Sequence, residues 1–196
     1  MKKYLFFLSA LLLCAGVYAQ KWEKEYDFVD ACSCGLAHVA KNGKHGYVNE
    51  QGKVMIPLQY DEAYAFSESR AGVKLGDKWG FIDSTGTHIT KMEFNEVLAF
   101  KQGLAGVADN GLYGFIDSTG KIVIPLIYLN ESNFNEDLAA VCNSKMKWGF
   151  IDKTGKTVIP FTYSFAREFK DGEASVMKDS KWFYIDKKGN MTKEGE

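Results

Sequence analysis

Lys147-Trp148-Gly149-Phe150-Ile151-Asp152-Lys153-Thr154-Gly155-Lys156-Thr157-Val158-Ile159-Pro160-Phe161-Thr162-Tyr163 decides the fold. Two apolar runs flank Asp-Lys-Thr-Gly, the pattern of a hairpin with a short glycine-bearing loop. Glycine enters the left-handed conformation such a loop needs, and the aspartate can hold the turn by accepting nearby amides. Alternation sends Trp148 and Phe150 to one face and Gly149 and Ile151 to the other; both faces are apolar, so the strand is expected to be covered on two sides.

The stretch recurs. Gly46-Tyr47-Val48-Asn49, Gly80-Phe81-Ile82-Asp83, Gly114-Phe115-Ile116-Asp117, Gly149-Phe150-Ile151-Asp152 and Phe183-Tyr184-Ile185-Asp186 lie 34, 34, 35 and 34 residues apart. A ring precedes each (His45, Trp79, Tyr113, Trp148, Trp182), and a glycine follows each at a fixed distance (Gly52, Gly86, Gly120, Gly155, Gly189). Further columns keep the register: Tyr60, Phe94, Tyr128, Tyr163; Phe66, Phe100, Phe134, Phe169; Ala71, Ala105, Ala139, Ala174; Val73, Val107, Val141, Val176. The extra residue near Lys145-Met146-Lys147 fits a turn, where insertions are tolerated. The proline after Ile56, Ile124 and Ile159 lacks a ladder donor and is expected to end the second strand.

These residues resemble the bacterial WG-repeat proteins, whose unit reads approximately K-W-G-F-I-D-x-x-G-K-x-V-I-P-x-x-Y. Lys78 to Gly86 and Lys147 to Tyr163 match best, and the resemblance covers residues 35–190. His45 and Tyr113 replace Trp, Phe183 replaces Gly, and Lys91 stands where Pro57, Pro125 and Pro160 do. The resemblance implies a β-repeat array with interaction roles and carries no catalytic residues. A unit that cannot bury its aromatic side alone must stack on its neighbours. The expected fold is all-β: a tandem array of about five three-stranded antiparallel units, open and twisted like a solenoid. A closed propeller-like ring is the alternative, disfavoured because propeller blades usually hold four strands and about 40–45 residues.

Outside the array, Lys2-Lys3, the apolar stretch Tyr4 to Val17 and Val17-Tyr18-Ala19 read as a signal peptide over residues 1–19. Residues 20–34 form an N-terminal segment and cap, and 191–196 a C-terminal tail. The expected location is periplasmic, cell-surface or secreted, with no membrane insertion. Removing residues 1–19 leaves 22 basic and 25 acidic residues, a formal charge of −3 without the basic stripe that nucleic acid requires.

Four residues resemble zinc ligands: Cys32, Cys34, His38 and His45. Their spacing departs from metal-site patterns, and repeat columns already predict strand residues there, so packing or a reactive thiol pair explains them better. No cofactor is expected, and no P-loop, Rossmann glycine pattern, G-x-S-x-G or H-E-x-x-H motif occurs. The recurring Asp83, Asp117, Asp152 and Asp186 read as turn residues rather than as acid/base groups. The leading expectation is an exported non-catalytic scaffold that binds an unknown protein partner, through connectors such as 61–70 and 129–137. A carbohydrate-binding module using the row Trp79, Tyr113, Trp148 and Trp182 is the alternative, with interior stacking of those rings preferred. An enzyme with an unrecognised site ranks third.

Overall fold

A computed structural model describes residues 21–195. The expected signal peptide, residues 1–19, lies outside them. The described residues form five antiparallel sheets in chain order. Sheet one holds β1 (Phe28–Val29), β2 (Ala37–Lys41), β3 (Lys44–Val48) and β4 (Val54–Tyr60); sheet two holds β5 (Glu62–Ala63), β6 (Arg70–Leu75) and β7 (Lys78–Asp83). Sheet three holds β8 (Glu96–Val97), β9 (Leu104–Asp109), β10 (Leu112–Asp117) and β11 (Ile122–Tyr128). Sheet four holds β12 (Asn130–Glu131), β13 (Leu138–Cys142), β14 (Trp148–Asp152) and β15 (Thr157–Tyr163). Sheet five holds β16 (Phe165–Ala166), β17 (Ala174–Lys178), β18 (Lys181–Ile185) and β19 (Met191–Glu194).

The five units and their three main strands are those the sequence predicts. The connectors add a two-residue strand that pairs with the next unit, making four sheets four-stranded. Sheet one begins at Phe28 and sheet five runs to Glu194, so the N-terminal segment and the tail supply strands at both ends.

Each hairpin turn works as its residues dictate. Asp117 Oδ1 accepts from Thr119 N (2.8 Å), Thr119 Oγ1 (2.6 Å) and Lys121 N (3.2 Å), while Gly120 takes φ of 85°. Asn49, Asp83, Asp152 and Asp186 accept the corresponding amides in the other units.

The prolines do not end their strands. Pro57, Pro125 and Pro160 lie inside β4, β11 and β15, at bulges where a missing ladder donor costs nothing. Tyr113 pairs with Tyr128 but Phe115 with Ile124, so two steps along β10 oppose four along β11. The bulge presses on Gly114, where a Cβ would stand 2.5 Å from the Ile124 carbonyl oxygen and 2.7 Å from Pro125. This close approach explains the glycine beside the ring. In sheet five β19 pairs regularly at this point, Phe183 with Glu194 and Tyr184 with Lys193, and Phe183 is tolerated. In sheet two His88-Ile89-Thr90-Lys91 forms no continuous strand; the Phe81 amide donates instead to Thr90 Oγ1 (2.9 Å).

Four seams between successive sheets carry most of the core. In the third, Phe115, Ile124 and Tyr128 of sheet three and Phe134 of the connector pack on Ala139, Val141 and Ile151 of sheet four. The same columns build the second and fourth seams and the one between sheets one and two. An edge-on pair of rings recurs at each: Tyr47 with Phe66 (4.7 Å), Phe81 with Phe100 (5.0 Å), Phe115 with Phe134 (4.8 Å) and Phe150 with Phe169 (4.9 Å). Burying each such ring contributes roughly 1.5–3 kcal/mol, and the edge-on contact about 0.5–1.5 more.

The back of sheet one, Ala37, Val39 and Val48, is covered by Trp22, Tyr26 and Val29. Trp22 and Tyr26 stand 34 residues before Ile56 and Tyr60, so this cap occupies the seat of a preceding unit. A ring would need that seat for sheet five, and the array is open.

Candidate functional site

The five-fold repeat supplies its own control: a column shared by all units serves the fold, and a departure confined to one unit asks for another reason. Departures cluster at the mouth of the third seam. There Leu112 replaces Lys44, Lys78, Lys147 and Lys181, and Tyr113 replaces Trp; Ala108, like Ala40, stands in the column where sheet two has Lys74. Leu129 replaces Asp61 and Asn95, and Glu131 stands where Ala63, Val97 and Ala166 do. A cleft of about 230 Å³ opens here, lined by Glu96, Val97, Leu98, Ala108, Tyr113, Asn130 and Glu131.

Tyr113 donates its hydroxyl to Glu96 Oε2 (3.0 Å). Both carboxylate oxygens of Glu131 are buried and have no hydrogen-bond partner in the protein. Burial, and to a lesser degree the Glu96 charge, push the Glu131 carboxyl up to about 9. The carboxyl lies against Gly106, where any Cβ would collide with it. The backbone reasons are local: β8 and β12 are the short connector strands, and β12 sets Glu131 opposite Val141.

A second opening lies on the forward face of sheet five, where a further unit would pack. It is a cleft of about 410 Å³ lined by Arg167, Ser175, Trp182, Tyr184, Lys193, Glu194 and Gly195. Arg167 sits 5.3 Å from the Trp182 ring centre and Lys193 4.3 Å from that of Tyr184. Lys193 takes the column of Ile56, Ile124 and Ile159, and its ammonium pairs with Glu173 at 2.6 Å. A charge thus replaces the apolar seam residue on the outermost face.

The aromatic row divides. Trp79 and Trp148 are buried, 6% and 8% exposed; Trp79 stacks on Tyr64 at 4.7 Å and Trp148 packs on Phe165 at 5.2 Å. Tyr113 and Trp182 are half-buried, each in its own cleft. The row is therefore not presented as a continuous surface ladder.

Of the four zinc-like residues, His38 and His45 meet, with Nε2 of the first 2.8 Å from Nδ1 of the second. Burial, then the His45 charge, lower His38 to about 4. Cys32 and Cys34 are exposed and unbridged. Among the described residues no group of three or more His, Cys, Asp or Glu is arranged to hold a metal ion, so the four are not assembled into a ligand set. Among the described residues no helix is long and apolar enough to cross a membrane. The sequence reading placed connector 129–137 among the binding segments without singling out Glu131, and it missed Leu112; a column-by-column comparison of the units is the signal that finds both.

No curated protein matches the chain. Among solved structures it is similar to the computationally designed Ika8 protein, at 14% identity and a TM-score of 0.51, covering 83% of this chain and 59% of that one. It is also similar to Hsv2p of Kluyveromyces lactis, at 13% identity and a TM-score of 0.53, covering 83% of this chain and 62% of that one. The chain thus spans about three-fifths of the length of these structures, and the likeness concerns the fold alone. The family model described as the WG containing repeat matches four consecutive segments, residues 46–79, 79–113, 113–145 and 148–182. With most of its length so matched, the chain belongs to the WG-containing repeat family.

Proposed function

We propose that this chain is an exported, non-catalytic scaffold that binds another protein through the surface of its repeat array. One observation carries the reading. The outer strands expose apolar side chains in register: Met55 (48%), Val123 (36%) and Val158 (42%) share a column, as do Val54 and Ile122. Exposed apolar surface repeated along an array is what a partner covers, whereas the seams account for the buried rings. The changes Met55→Ser, Val123→Ser and Val158→Ser, made together, touch no seam and are expected to leave the circular dichroism spectrum unchanged while abolishing capture of a partner from cell-envelope extracts. Undiminished capture by the triple variant refutes the reading.

The sheet-five cleft favours a second reading, glycan binding, because a half-exposed Trp182 flanked by Arg167 offers a stacking platform. Quenching of Trp182 fluorescence that glycan fragments reverse would support it; quenching indifferent to them counts against it.

A further inference from the structure

Sheet two shows what the third-seam cleft lacks. There the Lys74 ammonium pairs with Glu62 at 2.6 Å and lies 5.8 Å from the centre of the Trp79 ring. Glu62 and Glu96 occupy the same column, as do Trp79 and Tyr113, so sheet three keeps the acid and the ring. In the column where sheet two alone has a lysine, and the other sheets have Ala40, Cys142 and Met177, sheet three has Ala108, and the space a lysine there would fill is the cleft beside Glu96. Sheet three also adds a second acid, Glu131, whose buried oxygens have no hydrogen-bond partner in the protein at a position apolar in the other connectors. Burying an unpaired carboxyl is costly, and an apolar residue fills the same column elsewhere without that cost.

The flanking residues change in the same sense. Leu112 and Leu129 precede Tyr113 and Asn130 in the chain and are 38% and 40% exposed, with Ile127 at 56%. In sheet one the corresponding residues are Lys44 and Asp61, which pair with each other at 2.6 Å. An ion pair has given way to an apolar rim around an acidic recess.

We propose that the cleft at the mouth of the third seam receives the ammonium group of a lysine side chain from a bound protein segment, seated between Glu96, Glu131 and Tyr113, with apolar neighbours of that lysine resting on Leu112 and Leu129. The bound lysine takes the place that Lys74 fills from within its own sheet. The proposal rests on the protein-scaffold reading and deepens it by naming the side chain that anchors the partner.

The test uses the peptide acetyl-Leu-Lys-Leu-amide against the same peptide with norleucine in place of lysine, titrated calorimetrically into the mature chain. The lysine peptide is expected to bind at least tenfold more tightly than its norleucine counterpart. Glu131→Val restores the apolar column, so it is expected to raise thermal stability while weakening the lysine peptide at least tenfold; lost binding then has no origin in misfolding. Ala108→Lys supplies the ammonium from within and is expected to block the peptide to the same degree. Equal binding of both peptides, no measurable binding of either, or full binding to Ala108→Lys would overturn the proposal. Because the peptide reports on this cleft alone, such a failure is separate from failure of the scaffold reading, which the outer-strand triple variant decides.

Discussion

Replacing Glu131 with valine should make the protein more stable, and more so as pH rises. Its carboxyl titrates ordinarily near 4.5 and is held near 9 in the fold. Between these values the folded chain keeps a proton that the unfolded chain has lost, so the Glu131 contribution to stability is fully present below pH 4.5 and is lost as pH climbs through 9. One pKa unit is about 1.4 kcal/mol, so the full span is about 6 kcal/mol and the part lost by pH 7.5 about 4 kcal/mol. His38 acts oppositely: it is held near 4 against an ordinary 6.5, and its share is present above pH 6.5 and lost as pH falls towards 4. Discounted for solvent screening, that share is about 2 kcal/mol. The two slopes partly cancel from pH 4.5 to 6.5, and Glu131 acts alone from 6.5 to 9. Urea unfolding followed by tryptophan fluorescence at pH 5.5, 7 and 8.5 should therefore show a shallow change and then a steep loss of stability. Glu131→Val should remove the steep limb. A flat wild-type profile above pH 6.5, or a valine variant no more stable than wild type at pH 8.5, refutes the burial argument.

Gly114→Ala should cost about 1–3 kcal/mol, because its Cβ meets backbone at the Pro125 bulge rather than a movable side chain; a melting temperature unchanged by this substitution contradicts the coupling of glycine to bulge. Asp117→Ala should lower the melting temperature by roughly a few degrees, through loss of the turn bonds to Thr119 and Lys121, and Asp117→Asn should recover most of it, as Asn49 serves in the first unit. Acrylamide should quench Trp22 and Trp182 but barely reach Trp79 and Trp148; a Trp182→Phe variant that still quenches strongly after Trp22→Phe is added would mean the seams are looser than their packing indicates.

Much of the fold was legible because the seams repeat. Each Phe and Val column is a core contact used several times, and each Asp-x-x-Gly is a turn whose hydrogen bonds lie within five residues. The short connector strands were not legible, since pairs such as Glu62-Ala63 are too brief to show alternation. The glycine of Trp-Gly reads as a small residue in sequence; only the register shift reveals the backbone it must admit. The reading of proline as a strand end failed because it assumed a regular ladder, and a bulge removes the demand for that donor. The cap within residues 20–34 was legible, but its equivalence to a unit was not, because Trp22 lies in a 3-10 helix, Lys21–Glu25, with Tyr26 just after it, instead of repeating the strand pattern. Glu131 was passed over because a single acid in a polar connector looks solvated until its column neighbours, Ala63, Val97 and Ala166, are set beside it.

Trp22 holds the first sheet from the position of Ile56, one period earlier, and packs over Gly52 much as Ile56 packs over Gly86. The lid and a module thus occupy equivalent seats on the sheet that follows them. Excising 34 residues, from Gly52 through Thr85, would bring the same lid onto Gly86 with the register intact, so arrays of different length can be cut from one template without redesigning their ends.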